Sequence, residues 1–136
     1  MKADEKKYFP MFVDLTQKKV TVIGAGNIAK RRIETLLSFA GTIEVIAPDA
    51  CERIKELAKE GRLVWKEKEY DREDLYDADL VLSATNNEKV NNDVYSACKC
   101  LGISVNTASN RMKCDFYFPS ILQKEETVIG LNSAGN

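Results

Sequence analysis

Gly24-Ala25-Gly26-Asn27-Ile28-Ala29 follows the apolar run Val20-Thr21-Val22-Ile23 and precedes a stretch with helical apolar spacing. Small residues in this G-x-G-x-x-A pattern suit one chemistry, the holding of a pyrophosphate. Gly24 permits a tight turn out of a strand, Gly26 lets the backbone come close to phosphates, and Ala29 lets the next helix pack against that strand. Asn27 and Ile28 open a helix whose unpaired N–H groups and positive dipole end face the anion. The same glycines would also serve a turn with no ligand, so the surrounding elements decide.

Other chemistry is restricted by what the sequence lacks. There is no histidine, so acid–base work falls to carboxylates, hydroxyls, lysine or the substrate itself. Cys51, Cys98, Cys100 and Cys114 show no C-x-x-C spacing, and two residues apart on a helix Cys98 and Cys100 project to opposite sides. We expect reduced cysteines and no metal site. The 136 residues suffice for one core, and a net charge of −1 argues against a dedicated nucleic-acid binder. No apolar run has the length of a membrane span, and the polar start Met1 to Lys7 has no signal-peptide pattern. A cytoplasmic protein with neither membrane nor nucleic-acid partner is expected.

The elements that must position the glycine turn alternate between strand and helix. Ile28, Ile33, Leu36, Leu37 and Ala40 mark a first helix from about Asn27, with Gly41 expected as its left-handed cap. Ile43–Ile46 reads as the second strand, 50–59 as the second helix with Gly61 after it, and Leu63-Val64-Trp65 as the opening of a third strand. The acid-rich stretch 71–79 reads as a solvated short helix, Leu80–Ala84 as a buried fourth strand, Glu88–Leu101 as a third helix capped by Gly102, and Ile103–Val105 as a fifth strand. Such alternation specifies an α/β domain, a Rossmann-type doubly wound parallel sheet of order 3-2-1-4-5. After Asn106 the pattern changes: 116–122 and 127–131 read as a β-hairpin with no helix to cover it. A second copy of the chain is the simplest cover. The apolar stretch Phe9–Val13 is expected to pack against the sheet edge. The division expected is 1–113 for nucleotide binding and 114–136 for the start of a dimerisation and substrate region.

In such a sheet the ligand lies at the carboxyl ends of the strands. Those ends hold Gly24 to Ile28 for the pyrophosphate, Pro48 and Asp49 for the adenosine ribose, and Thr85 and Asn86 at the nicotinamide end. Thr85, Asn86 and Asn87 either orient a carboxamide or cap the next helix. With Asp49 present and no cation between Gly41 and Cys51, NAD is expected rather than NADP. The loop 106–114 contributes Asn106, Arg111 and Lys113. No acid occurs between Asp93 and Asp115, whereas Lys99, Arg111 and Lys113 do. That bias either suits an anionic substrate or reflects cations that merely share a surface.

These segments, in this order, resemble the NAD-dependent precorrin-2 dehydrogenases, including the dehydrogenase domains of siroheme synthases. The resemblance runs from Tyr8 to the end: Tyr8-Phe9-Pro10-Met11-Phe12-Val13-Asp14-Leu15, Val22 to Ala29 with Arg31-Arg32, Val45-Ile46-Ala47-Pro48, Ala84-Thr85-Asn86-Asn87 with Val90-Asn91, Val105-Asn106, and Cys114-Asp115-Phe116 to Pro119-Ser120. It implies oxidation of precorrin-2 to sirohydrochlorin with NAD as hydride acceptor, in a homodimer that exchanges elements through the hairpin. It also implies a catalytic aspartate three residues beyond Asn106, where this sequence has Ser109. A hydroxyl without a basic neighbour is a poor proton acceptor. Either catalysis is mostly orientation and hydride acceptance, the expectation here, or Asp115 substitutes. Ferrochelatase activity, found in some relatives, is not expected without histidine or that aspartate. The family continues into a helical domain past the hairpin, which a sequence ending at Ser133–Asn136 is expected to lack. Two other readings compete: an NAD(H)-sensing regulatory domain of a transport system, and a catalytically silent tetrapyrrole-binding dimer.

Overall fold

A computed structural model describes residues 6–132. Met1–Glu5 and Ser133–Asn136, on which the readings of the polar start and of the carboxyl end partly rest, lie outside the described residues. Five parallel strands form one sheet in the order β3-β2-β1-β4-β5: β1 Lys19–Ile23, β2 Thr42–Ala47, β3 Val64–Glu67, β4 Leu80–Ser83 and β5 Ser104–Thr107. The helices α1 Asn27–Leu36, α2 Glu52–Lys59 and α3 Glu88–Leu101 connect them.

The side-chain period of two explains why both faces are covered. Val20, Val22 and Val45 face Ala29, Ile33, Ile54 and Leu57 in one apolar cluster. Ile23, Ile46, Val81 and Val105 meet Leu75, Val94, Ala97 and Cys98 in the other. Each fully buried aliphatic side chain contributes about 1.5–3 kcal/mol of transfer free energy. Within the acidic stretch, Asp71 caps a short 3₁₀ helix, Arg72–Leu75. Asp77 and Asp79 instead bind the Lys19 ammonium and backbone N–H, fixing where β1 begins.

The hairpin consists of β6 Ser120–Lys124 and β7 Thr127–Leu131, paired antiparallel as a separate sheet. Its first strand starts four residues later than the apolar pattern implies. Phe116 and Phe118 pack back on the first core cluster, and Pro119 has no N–H to donate to a ladder. As expected, the hairpin is uncovered among the described residues: Leu122, Ile129 and Leu131 are exposed.

Two expectations need correction. Phe9–Val13 does not pack on the sheet edge; Phe9 is 84% exposed and Phe12 74%. The segment is held at its ends instead, by Leu15 against the core and by the Tyr8 ring 4.1 Å from that of Tyr117. Gly41 is not a left-handed cap either. Only Gly24, Gly61 and Gly102 have positive φ among the described glycines, and α1 ends on Leu37 in a right-handed conformation. Gly41 is needed for proximity: a Cβ there would lie 2.8 Å from the Thr16 carbonyl carbon, where Gly41 N–H donates to Leu15 O. Gly41→Ala should therefore lower the unfolding free energy by about 2–3 kcal/mol through a backbone clash. Gly61→Ala, with open space but positive φ, should lose about 1 kcal/mol. Urea unfolding of the two variants checks the order; equal losses would refute the close approach at Gly41.

Candidate functional site

The glycine turn is fixed from both sides. Gly24 N–H donates to Ile46 O at 3.0 Å, Cys51 N–H to Ala25 O at 3.0 Å, and Ala84 N–H to Ile23 O at 2.8 Å. The carboxyl ends of β1, β2 and β4 are thereby joined at the point where strand order reverses. Gly24 has φ of 112°, and a Cβ on it would lie 2.7 Å from the Ala84 carbonyl carbon. The residue must be glycine for both reasons.

Gly26 differs: its Cβ would meet open space, with no atom of the described residues within 4 Å. It precedes α1, whose first turn has no side-chain cap and no acid, so the N–H groups of Asn27, Ile28 and Ala29 remain for an anion. Asn27 and Ile28 are exposed while Ala29 is fully buried against the sheet. A dinucleotide pyrophosphate fits this cradle, which a side chain at Gly26 would fill.

Pro48 and Asp49 are exposed beyond β2, with Lys55 Nζ 3.7 Å from the Asp49 carboxylate. Arg53, the nearest arginine, is held by Glu34 and Glu56. Of the polar trio after β4, Asn87 is the cap of α3, accepting from Lys89 and Val90 N–H. Thr85 Oγ1 accepts from Asn87 N–H and donates at 2.6 Å to the buried Asn91. Asn86 is exposed, and its side chain makes no hydrogen bond among the described residues.

Beside β5 and the root of the hairpin opens a cavity of about 460 Å³, lined by Arg32, Asn106, Arg111, Tyr117, Phe118 and Leu131, among others. Among the described residues, no carboxylate lines it. The half-buried Arg32 guanidinium lies 4.8 Å from the Phe118 ring centroid; burial draws its pKa below the usual value, with the cation kept charged. Arg111 Nε donates to Tyr117 Oη at 2.8 Å. Asn106 contributes as a brace, its amide donating to Phe116 O at 2.9 Å.

Two predicted residues lie elsewhere. Lys113 turns away from the cavity to Asn92 and the Tyr95 ring. Asp115 lies past the antiparallel Asn106–Cys114 bridge, where it binds Lys99 and accepts from Val105 N–H at 2.9 Å. It braces the start of β5 and is not a catalytic candidate, and Lys99 goes with it. Ser109, exposed on the loop after β5 and one residue past the cavity-lining Ala108, has a neighbour the sequence did not reveal: its Oγ donates to Glu88 Oε1 at 2.9 Å. The acid-free segment 94–114 thus meets a carboxylate that α3 brings in from outside it. Arg32, Glu88 and Asn91 are the residues that sequence reasoning left without a role. Among the described residues, no three Cys, Asp or Glu side chains come together as a metal site.

The fold and the uncapped glycine turn define a dinucleotide-binding domain of the Rossmann class. The chain belongs to the family described as "Putative NAD(P)-binding", whose model matches residues 11–120. It is 37% identical over 129 residues to a siroheme synthase of Pseudoalteromonas atlantica, covering 95% of this chain and 28% of that protein. A siroheme synthase of Buchnera aphidicola is 35% identical over 128 residues, covering 94% and 27%. The chain thus spans little more than a quarter of the length of these relatives. Among solved structures, SirC, a precorrin-2 dehydrogenase, superposes with a TM-score of 0.84 at 28% identity, over 94% of this chain and 62% of that one.

The two glycines should separate by experiment. Gly24→Ala should destabilise the fold, by about 2–3 kcal/mol in chemical unfolding. Gly26→Ala should unfold as the unaltered protein does, yet weaken NAD binding by about tenfold or more in calorimetry. Unchanged NAD affinity in Gly26→Ala would contradict the cradle.

Proposed function

We propose that this chain is the dehydrogenase that oxidises precorrin-2 to sirohydrochlorin with NAD. The observation that carries this reading is the arginine-lined cavity without a carboxylate, opening at the same sheet end as the glycine turn. Precorrin-2 is a flexible tetrapyrrole with carboxylate side chains on every ring. Such a polyanion needs cations whose charge is not already neutralised, together with aromatic surface for its rings. Arg32, stacked on Phe118, and Arg111, held by Tyr117, supply both. The siroheme synthase relatives and SirC point to the same chemistry.

When bound, NAD would supply the hydride acceptor; everything else falls to the chain. The first turn of α1 would hold its pyrophosphate, and Pro48 and Asp49 would meet its ribose. Arg53 is occupied by two glutamates, which favours NAD over a cofactor carrying a further phosphate. Thr85, fixed by Asn91, and the exposed Asn86 would orient the nicotinamide end. Arg32 and Arg111 anchor substrate carboxylates, Asn106 keeps the β5 loop against the hairpin, and Ser109 faces the reacting rings. Leu122, Ile129 and Leu131 on the hairpin, with Phe9, Met11 and Phe12, form exposed apolar surface suited to a homodimer.

Anaerobic incubation with precorrin-2 and NAD⁺ should yield NADH and the sirohydrochlorin spectrum in equal amounts. NAD⁺ binding with no turnover would instead favour a nucleotide sensor. Arg32→Gln should raise the KM for the tetrapyrrole by about tenfold while leaving the dissociation constant of NAD⁺ unchanged. An equal loss in both would place Arg32 outside the substrate site.

A further inference from the structure

Ser109 and Glu88 are 21 residues apart in sequence, on the β5 loop and in the first turn of α3, yet they meet as donor and acceptor. The contact is supported from below. Asn91, 1% exposed, extends its amide nitrogen to Glu88 Oε1 at 3.3 Å and to Ser109 Oγ at 3.4 Å. Its other end is fixed: Asn91 Oδ1 accepts from Ser83 Oγ at 2.9 Å and from Thr85 Oγ1 at 2.6 Å. An amide so held can change neither rotamer nor orientation without breaking several bonds. Glu88 is exposed and makes no ion pair among the described residues. Its carboxylate is therefore not neutralised by a cation of the described residues. The helix does not need it as a cap, because Asn87 fills that role.

We propose that Glu88 receives the proton released in the reaction, through the Ser109 hydroxyl, with Asn91 holding the two in line. This rests on the dehydrogenation reading above. Oxidation removes a hydride from a ring carbon, and the cation left behind must lose one proton to restore the neutral macrocycle. Ser109 Oγ takes that proton as its own passes to Glu88 Oε1, so the serine ends unchanged and Glu88 ends as the carboxylic acid. Exposure then lets water remove the proton and reset the site. Ser109 lies next to Ala108, which lines the cavity, while Asn91 binds Thr85 of the loop after β4. Through Asn91 the relay thus links the loop after β5, which borders the cavity, to the loop after β4. A hydroxyl backed by a carboxylate accepts a proton far better than a hydroxyl alone.

Steady-state anaerobic kinetics of the full chain tests the relay. Glu88→Gln keeps the shape and the Asn91 contact but removes the base. It should lower kcat by about a hundredfold, with the KM for the tetrapyrrole and the NAD⁺ dissociation constant little changed. Ser109→Ala should fall to a similar level, and the double variant should be no worse than either single one, as expected for groups acting as a unit. Ser109→Asp placed in the Glu88→Gln background should restore turnover by supplying a carboxylate directly. A Glu88 that only favours the helix would shift the unfolding midpoint and leave kcat alone. Full kcat in Glu88→Gln, or a loss that appears only in KM, would overturn the relay while leaving the dehydrogenation standing. No NADH from the unaltered chain would overturn both.

Discussion

Gly24 lies against the Ala84 backbone so closely that no side chain fits between them, and the rest of the site follows from this contact. It lets β1 and β4 end side by side, although helices and two other strands separate them along the chain. Because β1 is also bonded to β2, the same turn gathers three strand ends. From there α1 can only leave with its free N–H groups facing the crevice. The loop after β4 is brought within reach of the same crevice. Rossmann-type sheets bind ligands at this reversal of strand order because it is the one place where neighbouring connections diverge to opposite faces.

Asn91 extends that constraint to the second half of the site. One buried amide ties the last residue of β4, the Thr85 loop, the first turn of α3 and the β5 loop together. Buried polar groups are stable only when fully bonded, so this network stays where it is or fails as a whole. The hairpin root is anchored separately, by Asn106 on Phe116 and by the Arg32–Phe118 stack. The glycine turn and the cavity thus share one sheet end, the hairpin root adding its own anchors to the Asn91 network.

The sheet order, the turn and α3 were legible in the sequence because each rests on local signals: apolar runs, small residues at fixed spacing, an Asn87 cap and Gly102. What the sequence concealed was non-local. Gly41 looks like any helix-ending glycine until Thr16 is placed beside it. Lys113 belongs to the loop 106–114 and Asp115 follows it in sequence, but an antiparallel bridge at Cys114 turns the chain back toward the start of β5. Glu88 carries no signal along the chain as a partner of Ser109, since the pairing depends on β4 and β5 being neighbours in the sheet. Arg32 likewise reads as one of two adjacent cations until Phe118 covers it.

We propose that one sheet end holds a dinucleotide at Gly26 and a tetrapyrrole in the Arg32–Arg111 cavity, side by side. Two-dimensional amide NMR, titrating first NAD⁺ and then sirohydrochlorin, measures this directly. NAD⁺ should shift the resonances of 24–29, 47–49 and 84–87, and sirohydrochlorin should then shift 106–118 and the side-chain signals of Arg32 and Arg111 without displacing the first ligand. Resonances of 24–29 that do not respond to NAD⁺, or a tetrapyrrole that competes for them, would contradict it.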